Sequence, residues 1–160
     1  MKLYKRILDI IVKITCVLLM CFVAGIVLLI LHELVIRNFF NRSFKAMTEL
    51  VGIMFLWMAF LGIIVLYDNE GLIALTFFSD KVPKNIKTVF WYIYKIVTGI
   101  LGAVMIAAFI GLYPYVHTDF FSSMPKLPKS WEYLPMALAG GFLVLKSFYD
   151  LLEKLTGYKK

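Results

Sequence analysis

Polar and apolar positions along this chain fall into long blocks, not into the short alternations of a soluble fold. Segments 14–31, 50–67 and 96–116 contain no Asp, Glu, Lys or Arg. At about 1.5 Å per residue, runs of this length reach across most of a ~30 Å hydrocarbon core. A fourth block, 131–152, is wetter and carries Lys146 in its second half. The pattern predicts an all-α polytopic membrane protein: one four-helix domain over residues 1–160, with spans at about 14–36, 50–67, 90–116 and 131–152.

The flanks of these blocks are amphipathic. In residues 1–13, Leu3, Ile7 and Ile11 recur every four positions among Lys2, Lys5, Arg6 and Asp9, which reads as a short interfacial helix leading into the first span. Beyond the first span the apolar positions Val35, Ile36, Phe39, Phe40 and Phe44 continue, with Glu33 and Arg37 placed as an i,i+4 pair. This predicts that residues 32–45 form a helix that leaves the membrane and lies along its outer interface. Thr48, just before the second apolar block, is placed to cap it. After that block the chain has a turn cluster, Asp68-Asn69-Glu70-Gly71, then the apolar stretch 72–78, then a second turn cluster at 79–85. Seven apolar residues cannot span a bilayer, so the stretch is a horizontal interfacial helix or a short re-entrant element. Residues 118–130 hold Pro125 and Pro128 and read as an ordered, non-helical loop.

Composition changes the picture little: 62% of residues are hydrophobic and 17% charged, against about 25% charged in soluble domains. The first span is not followed by a small-residue cleavage site, since His32-Glu33-Leu34 comes next, which argues against a cleaved signal peptide. Cys16 and Cys21 lie inside that span and are expected to be buried apolar thiols. Charge distribution adds orientation. Four spans place the N-terminus, the second loop and the C-terminus on one side, and twelve of the Lys and Arg residues fall there. Arg37, Arg42, Lys45, Lys126 and Lys129 fall on the other. The positive-inside rule puts both termini in the cytoplasm. The net charge of +7 is then a topology signal with some attraction to anionic lipid, and does not point to nucleic acid.

Candidate chemistry is sparse. The third span places Gly99, Ala103, Ala107 and Gly111 four apart, widened by Gly102, a smooth ridge of the kind along which membrane helices approach closely. It faces either a partner protein or this chain's own fourth span, where Ala137, Gly140 and Gly141 offer a complement. Trp57 lies mid-span, away from the interfaces where Trp is usual, and is expected to pack against protein. His32 and His117 close the first and third spans on the same side; on facing helices they would be the minimum for a bis-His haem site. Mid-membrane polar groups are limited to Thr15 and Thr98, too few for the substrate and ion sites of a stand-alone transporter. Glu49, at the mouth of the second span, needs a partner. Arg37, Arg42, Lys45 or a cation on another subunit are the candidates.

Taken in order, Thr48-Glu49-Leu50, Phe55-Leu56-Trp57-Met58-Ala59-Phe60-Leu61-Gly62, Leu72-Ile73-Ala74-Leu75, Asp80-Lys81-Val82-Pro83 and the Pro–Trp–Tyr–Pro approach to the fourth span (Pro128, Trp131, Tyr133, Pro135) resemble the small membrane subunit of tripartite ATP-independent periplasmic (TRAP) transporters, over roughly residues 5–155. One position departs from that pattern: a His often found after the second span is replaced here by the turn Asn69-Glu70-Gly71-Leu72. The resemblance implies a Na⁺-coupled uptake system for an organic anion, a sialic acid or a C4-dicarboxylate, in the bacterial inner membrane. It implies a large membrane subunit that carries substrate, a periplasmic binding protein that captures it, and no cofactor or catalytic residue on this chain. Glu49, Trp57, Gly62 and the ridge Gly99, Ala103, Ala107 and Gly111 become candidates for contact with the large subunit. Arg37, Arg42, Lys45, Lys126 and Lys129 become candidates for docking the binding protein. A haem- or quinone-bearing redox anchor using the two histidines, and a membrane structural protein without a transport role, are the alternatives.

Overall fold

The computed structural model describes residues 2–68 and 84–156. These form four helices: α1 (Lys2–Phe40), α2 (Met47–Asp68), α3 (Lys84–Val116) and α4 (Ser130–Leu155). Each contains a stretch long and apolar enough to cross a membrane. The apolar stretch 72–78 and the turn residues up to 83 lie outside the described residues.

The two interfacial segments expected beside the first span are not separate elements. Nothing between Lys2 and Phe40 interrupts a helix, neither Pro nor a polar cluster, so α1 runs unbroken for 39 residues, about 58 Å. It ends where Asn41 takes φ 46°, the left-handed conformation that reverses the chain and that Asn tolerates better than most residues. Glu33 closes this turn, its carboxylate accepting the Ser43 hydroxyl at 2.8 Å and the Phe44 amide at 3.0 Å. It is thereby used across the turn, and no ion pair to Arg37 is present among the described residues. Thr48 falls inside the first turn of α2, not at its cap: backbone bonds from Met47 to Phe44 and from Leu50 to Ala46 already close that turn.

The helices contact in the order α1–α2–α4–α3, with the most extensive interface between α3 and α4. α2 and α4 therefore lie inside the array, and α1 and α3 at its two edges. Tyr4 near the start of α1 stacks on Tyr149 near the end of α4, ring centroids 5.2 Å apart, and its hydroxyl donates to the Leu145 carbonyl. The start of α1 and the end of α4 thus lie at the same end of the bundle.

Small residues set the tightest interface. α3 buries a single narrow stripe, Lys95, Thr98, Gly102 and Met105. Gly102 meets Gly140 of α4 so closely that a Cβ added to either would stand 2.7 Å from the other's carbonyl oxygen. Ala139, Phe142 and Leu143 fill the space around it and are nearly fully buried. On the other flank, a Cβ on Gly25 would meet the Met54 methyl at 2.7 Å, the far end of a flexible side chain.

Gly102→Ala or Gly140→Ala should therefore force α3 and α4 apart, at a cost on the order of 1–3 kcal/mol. Gly111→Ala and Gly62→Ala, where a Cβ meets nothing within 4 Å, should leave stability unchanged or slightly raised. Thermal unfolding of the detergent-solubilised chain, followed by thiol-reactive dye or by size-exclusion recovery, separates the two pairs.

Candidate partner-facing surface and the contacts that shape it

The small-residue ridge expected on the third span is split by the fold. Gly102, one residue off the ridge, carries the close approach to α4. Gly99 sits at the edge of that seam, a Cβ there lying 3.5 Å from the Ser147 Cβ. Ala103, Ala107 and Gly111 are exposed on the flank of α3 that α4 does not cover. A smooth strip of backbone-close surface is left open beside an already formed seam. The large apolar residues Ile100, Leu101, Val104 and Ile110 around it are also exposed. Gly62 of α2 likewise faces open space.

Trp57 packs as expected of a mid-span indole, and the reason is a proline. Pro135 lies inside α4, and because Pro has no backbone N–H, the carbonyl of Trp131 four residues earlier loses its helical donor. The Trp57 indole N–H donates to that carbonyl at 2.9 Å, while its ring meets Phe22 of α1 edge-on at 6.0 Å. One side chain satisfies the stray acceptor and holds α1, α2 and α4 together.

Glu49 does have a partner, but not a cation. Its carboxylate accepts the backbone N–H of Ser123 at 3.0 and 3.3 Å, and no ion pair joins it to Arg37, Arg42 or Lys45 among the described residues. The Ser123 hydroxyl donates in turn to the Lys45 carbonyl at 3.0 Å. These bonds draw loop 117–129 onto the start of α2. The loop is ordered and non-helical, pinned further by the bridge between Phe120 and Pro128, the Lys129–Asp119 ion pair at 3.2 Å and the burial of Phe121. The five cations proposed for docking thus gather at one end: Arg37 in the last turn of α1, Arg42 and Lys45 in the first turn region, Lys126 and Lys129 in this loop. All but Lys129 are exposed.

At the opposite end the helices share a polar layer that the spacing of single residues did not reveal. Lys95 of α3 pairs with Asp150 of α4, with side chains only 5% and 13% exposed. Lys146 of α4 pairs with Asp68 of α2 at 2.8 Å. The Tyr67 and Ser147 hydroxyls share a buried hydrogen bond of 3.0 Å, and the Lys95 ammonium lies 4.4 Å from the centre of the Tyr67 ring. The signal available in the sequence was Lys146 and Asp150, opposite charges one turn apart in a stretch, 133–152, that holds no other Asp, Glu, Lys or Arg.

The remaining polar candidates are satisfied locally. Thr15 donates to the Ile11 carbonyl and Thr98 to the Tyr94 carbonyl, each four residues back on its own helix at 2.8 Å, the usual arrangement for a membrane-embedded threonine. His32 packs against Phe44 and His117 against Tyr113. The helices that carry them, α1 and α3, lie on opposite flanks of the array, so the pair does not sit on facing helices as a bis-His site requires. Cys16 is half-buried, but Cys21 is exposed. It lies on the side of α1 turned away from the other helices, which corrects the expectation of two buried thiols.

The Trp57–Trp131 bond predicts a coupled pair. Trp57→Phe removes the donor to the Trp131 carbonyl and should cost about 1 kcal/mol. In a Pro135→Ala background that carbonyl regains its helical donor, so the same Trp57→Phe change should cost measurably less. A double-mutant cycle of thermal or denaturant unfolding reads the difference directly.

Comparison with known families agrees with this architecture. Comparison with curated proteins gave no match. The family model described as "Tripartite ATP-independent periplasmic transporters, DctQ component" matches residues 26–157. That match runs from within α1 through the end of α4 and takes in Glu49, Trp57, the α3 ridge and the polar layer. A chain of this family is a transporter component and not an enzyme. This multi-pass membrane protein belongs to the DctQ family, the small permease component of TRAP transporters.

Proposed function

We propose that this chain is the scaffold of a Na⁺-coupled organic-anion uptake system of the sialic acid or C4-dicarboxylate class, bracing a large transport subunit in the bacterial inner membrane without binding substrate. The observation that carries this reading is the exposed strip Ala103, Ala107 and Gly111 on α3, next to an interface already closed at Gly102 and Gly140. Lipid offers no hydrophobic drive for helix association, so close backbone approach along small residues is what membrane helices use to bind one another. A strip of that kind left unused inside the chain suits an intermolecular contact. The polar groups of the spans support the same reading. Thr15 and Thr98 are turned onto their own helices and the charged groups are paired with each other. These polar side chains are thus already engaged within the chain.

The excess of Lys and Arg at the end where α1 starts and α4 finishes supports a cytoplasmic location for that end. The opposite end would then face the periplasm. There the Glu49–Ser123–Lys45 staple presents Arg42, Lys45 and Lys126 from two loops on one surface. Cations so grouped suit a soluble binding protein with acidic groups, where they would speed and orient encounter more than they add affinity.

Two outcomes are expected. Ala103→Leu or Ala107→Leu should leave insertion and thermal stability of the isolated chain intact, because both positions are exposed, while abolishing co-purification with the large subunit in detergent. Unchanged co-purification would place that contact elsewhere. The chain reconstituted alone in liposomes should show no Na⁺-dependent uptake of sialic acid or C4-dicarboxylate, and uptake should appear only with the large subunit and binding protein present.

A further inference from the structure

α4 is displaced along the bundle axis. At one end it starts beside Trp57, eight residues past Glu49 on α2, about 12 Å. At the other end Asp68 closes α2 opposite Lys146, and α4 runs nine residues further to Leu155, again about 13 Å. Apolar helix faces resist such sliding weakly, because one register of aliphatic contacts resembles the next. α4 also has the lowest hydropathy of the four spans and the largest buried share, so its position has to be held by something directional.

We propose that Asp68, Lys146, Asp150 and Lys95 act together as a register key that holds α4 at its depth between α2 and α3. Lys146 and Asp150 are four residues apart on α4, so their side chains lie on nearly one face about 6 Å apart along the axis. In the observed register Lys146 meets Asp68 and Asp150 meets Lys95. Slide α4 one turn, ~5.4 Å, toward the loop end, and Asp150 arrives at the level of Lys146, beside Asp68. Slide it one turn the other way, and Lys146 arrives at the level of Asp150, beside Lys95. Both slips bring like charges together in a half-dry layer and separate both native pairs. The alternation of sign along α4, matched by opposite signs on its two neighbours, thus penalises each adjacent register. A single ion pair would not, since it loses attraction on slipping but meets no repulsion. Buried pairs add little net stability over apolar packing, and fixing register is their best-attested use. The buried hydrogen bond between Tyr67 and Ser147 lies in the same layer and keeps it closed.

The test reverses charges without changing composition. In a Cys16→Ala/Cys21→Ala background, single cysteines at Leu138 and Phe148, both exposed on α4, report its depth through their rate of reaction with a membrane-impermeant maleimide in open membrane fragments. Reversal on α4 alone, Lys146→Asp with Asp150→Lys, puts like charges together in the native register and favours either one-turn slip. Labelling at one of the two positions should change at least tenfold, or the chain should fail to accumulate. Adding Asp68→Lys and Lys95→Asp restores both pairs with reversed sign, and should return labelling rates and expression to those of the parent. Two results would overturn the proposal: parental labelling in the α4 reversal, or a fourfold variant that stays slipped or unaccumulated like the α4 reversal.

Discussion

A polar group inside hydrocarbon has no water to turn to and must find its partner within the protein. Much of this structure follows from that constraint. Pro135 strands a carbonyl, and the Trp57 indole comes from a neighbouring helix to meet it. Thr15 and Thr98 fold back onto their own helices. The charges that α2, α3 and α4 carry into the bundle pair with one another across helix interfaces. Carboxylates nearer the loops are used in the same way: Glu33 closes the α1–α2 turn and Glu49 holds the loop between α3 and α4. The Trp57 bond, the Glu49 bonds and the ion pairs join segments far apart in the chain, so meeting the polar requirement also helps determine which helices are neighbours.

Packing complements this division. α4 lies inside the array, touching both α2 and α3, and buries small and aromatic residues alike. α1 and α3 flank the array and expose most of their apolar surface. On α3 the two kinds of helix contact are separated by about one residue of rotation. Gly102 belongs to the internal seam, while Ala103, Ala107 and Gly111 remain open. A membrane subunit that must hold together and also hold a partner needs both, and here they lie side by side on one helix.

The fold class and the four spans were legible in the sequence, because hydrophobic length is a property of local segments and requires no knowledge of neighbours. The family resemblance, carried by ordered short motifs around Glu49, Trp57 and Pro135, was legible for the same reason. Some local readings failed where a local rule met a longer-range one. The helices expected at 1–13 and 32–45 merged with the first span up to Phe40, since an unbroken α-helix keeps its backbone bonded at no further cost and Asn41 supplies the turn. Glu49 satisfies a backbone amide from a loop more than seventy residues away, a partner that no local spacing indicates.

What the sequence alone determined was the number of membrane-spanning helices and the motifs of the family, both set by hydrophobic runs and near-neighbour chemistry. Tertiary structure decided which face of α3 became interior, which carbonyl Trp57 serves, and how deep α4 sits relative to α2. The reason is rotational and axial: shifting a helix by one residue turns its exposed and buried faces by about 100°. Shifting it by one turn leaves its hydropathy nearly unchanged. Hydrophobic pattern cannot choose between such states, and here Gly102 against Gly140 and the paired charges of α2, α3 and α4 make the choice.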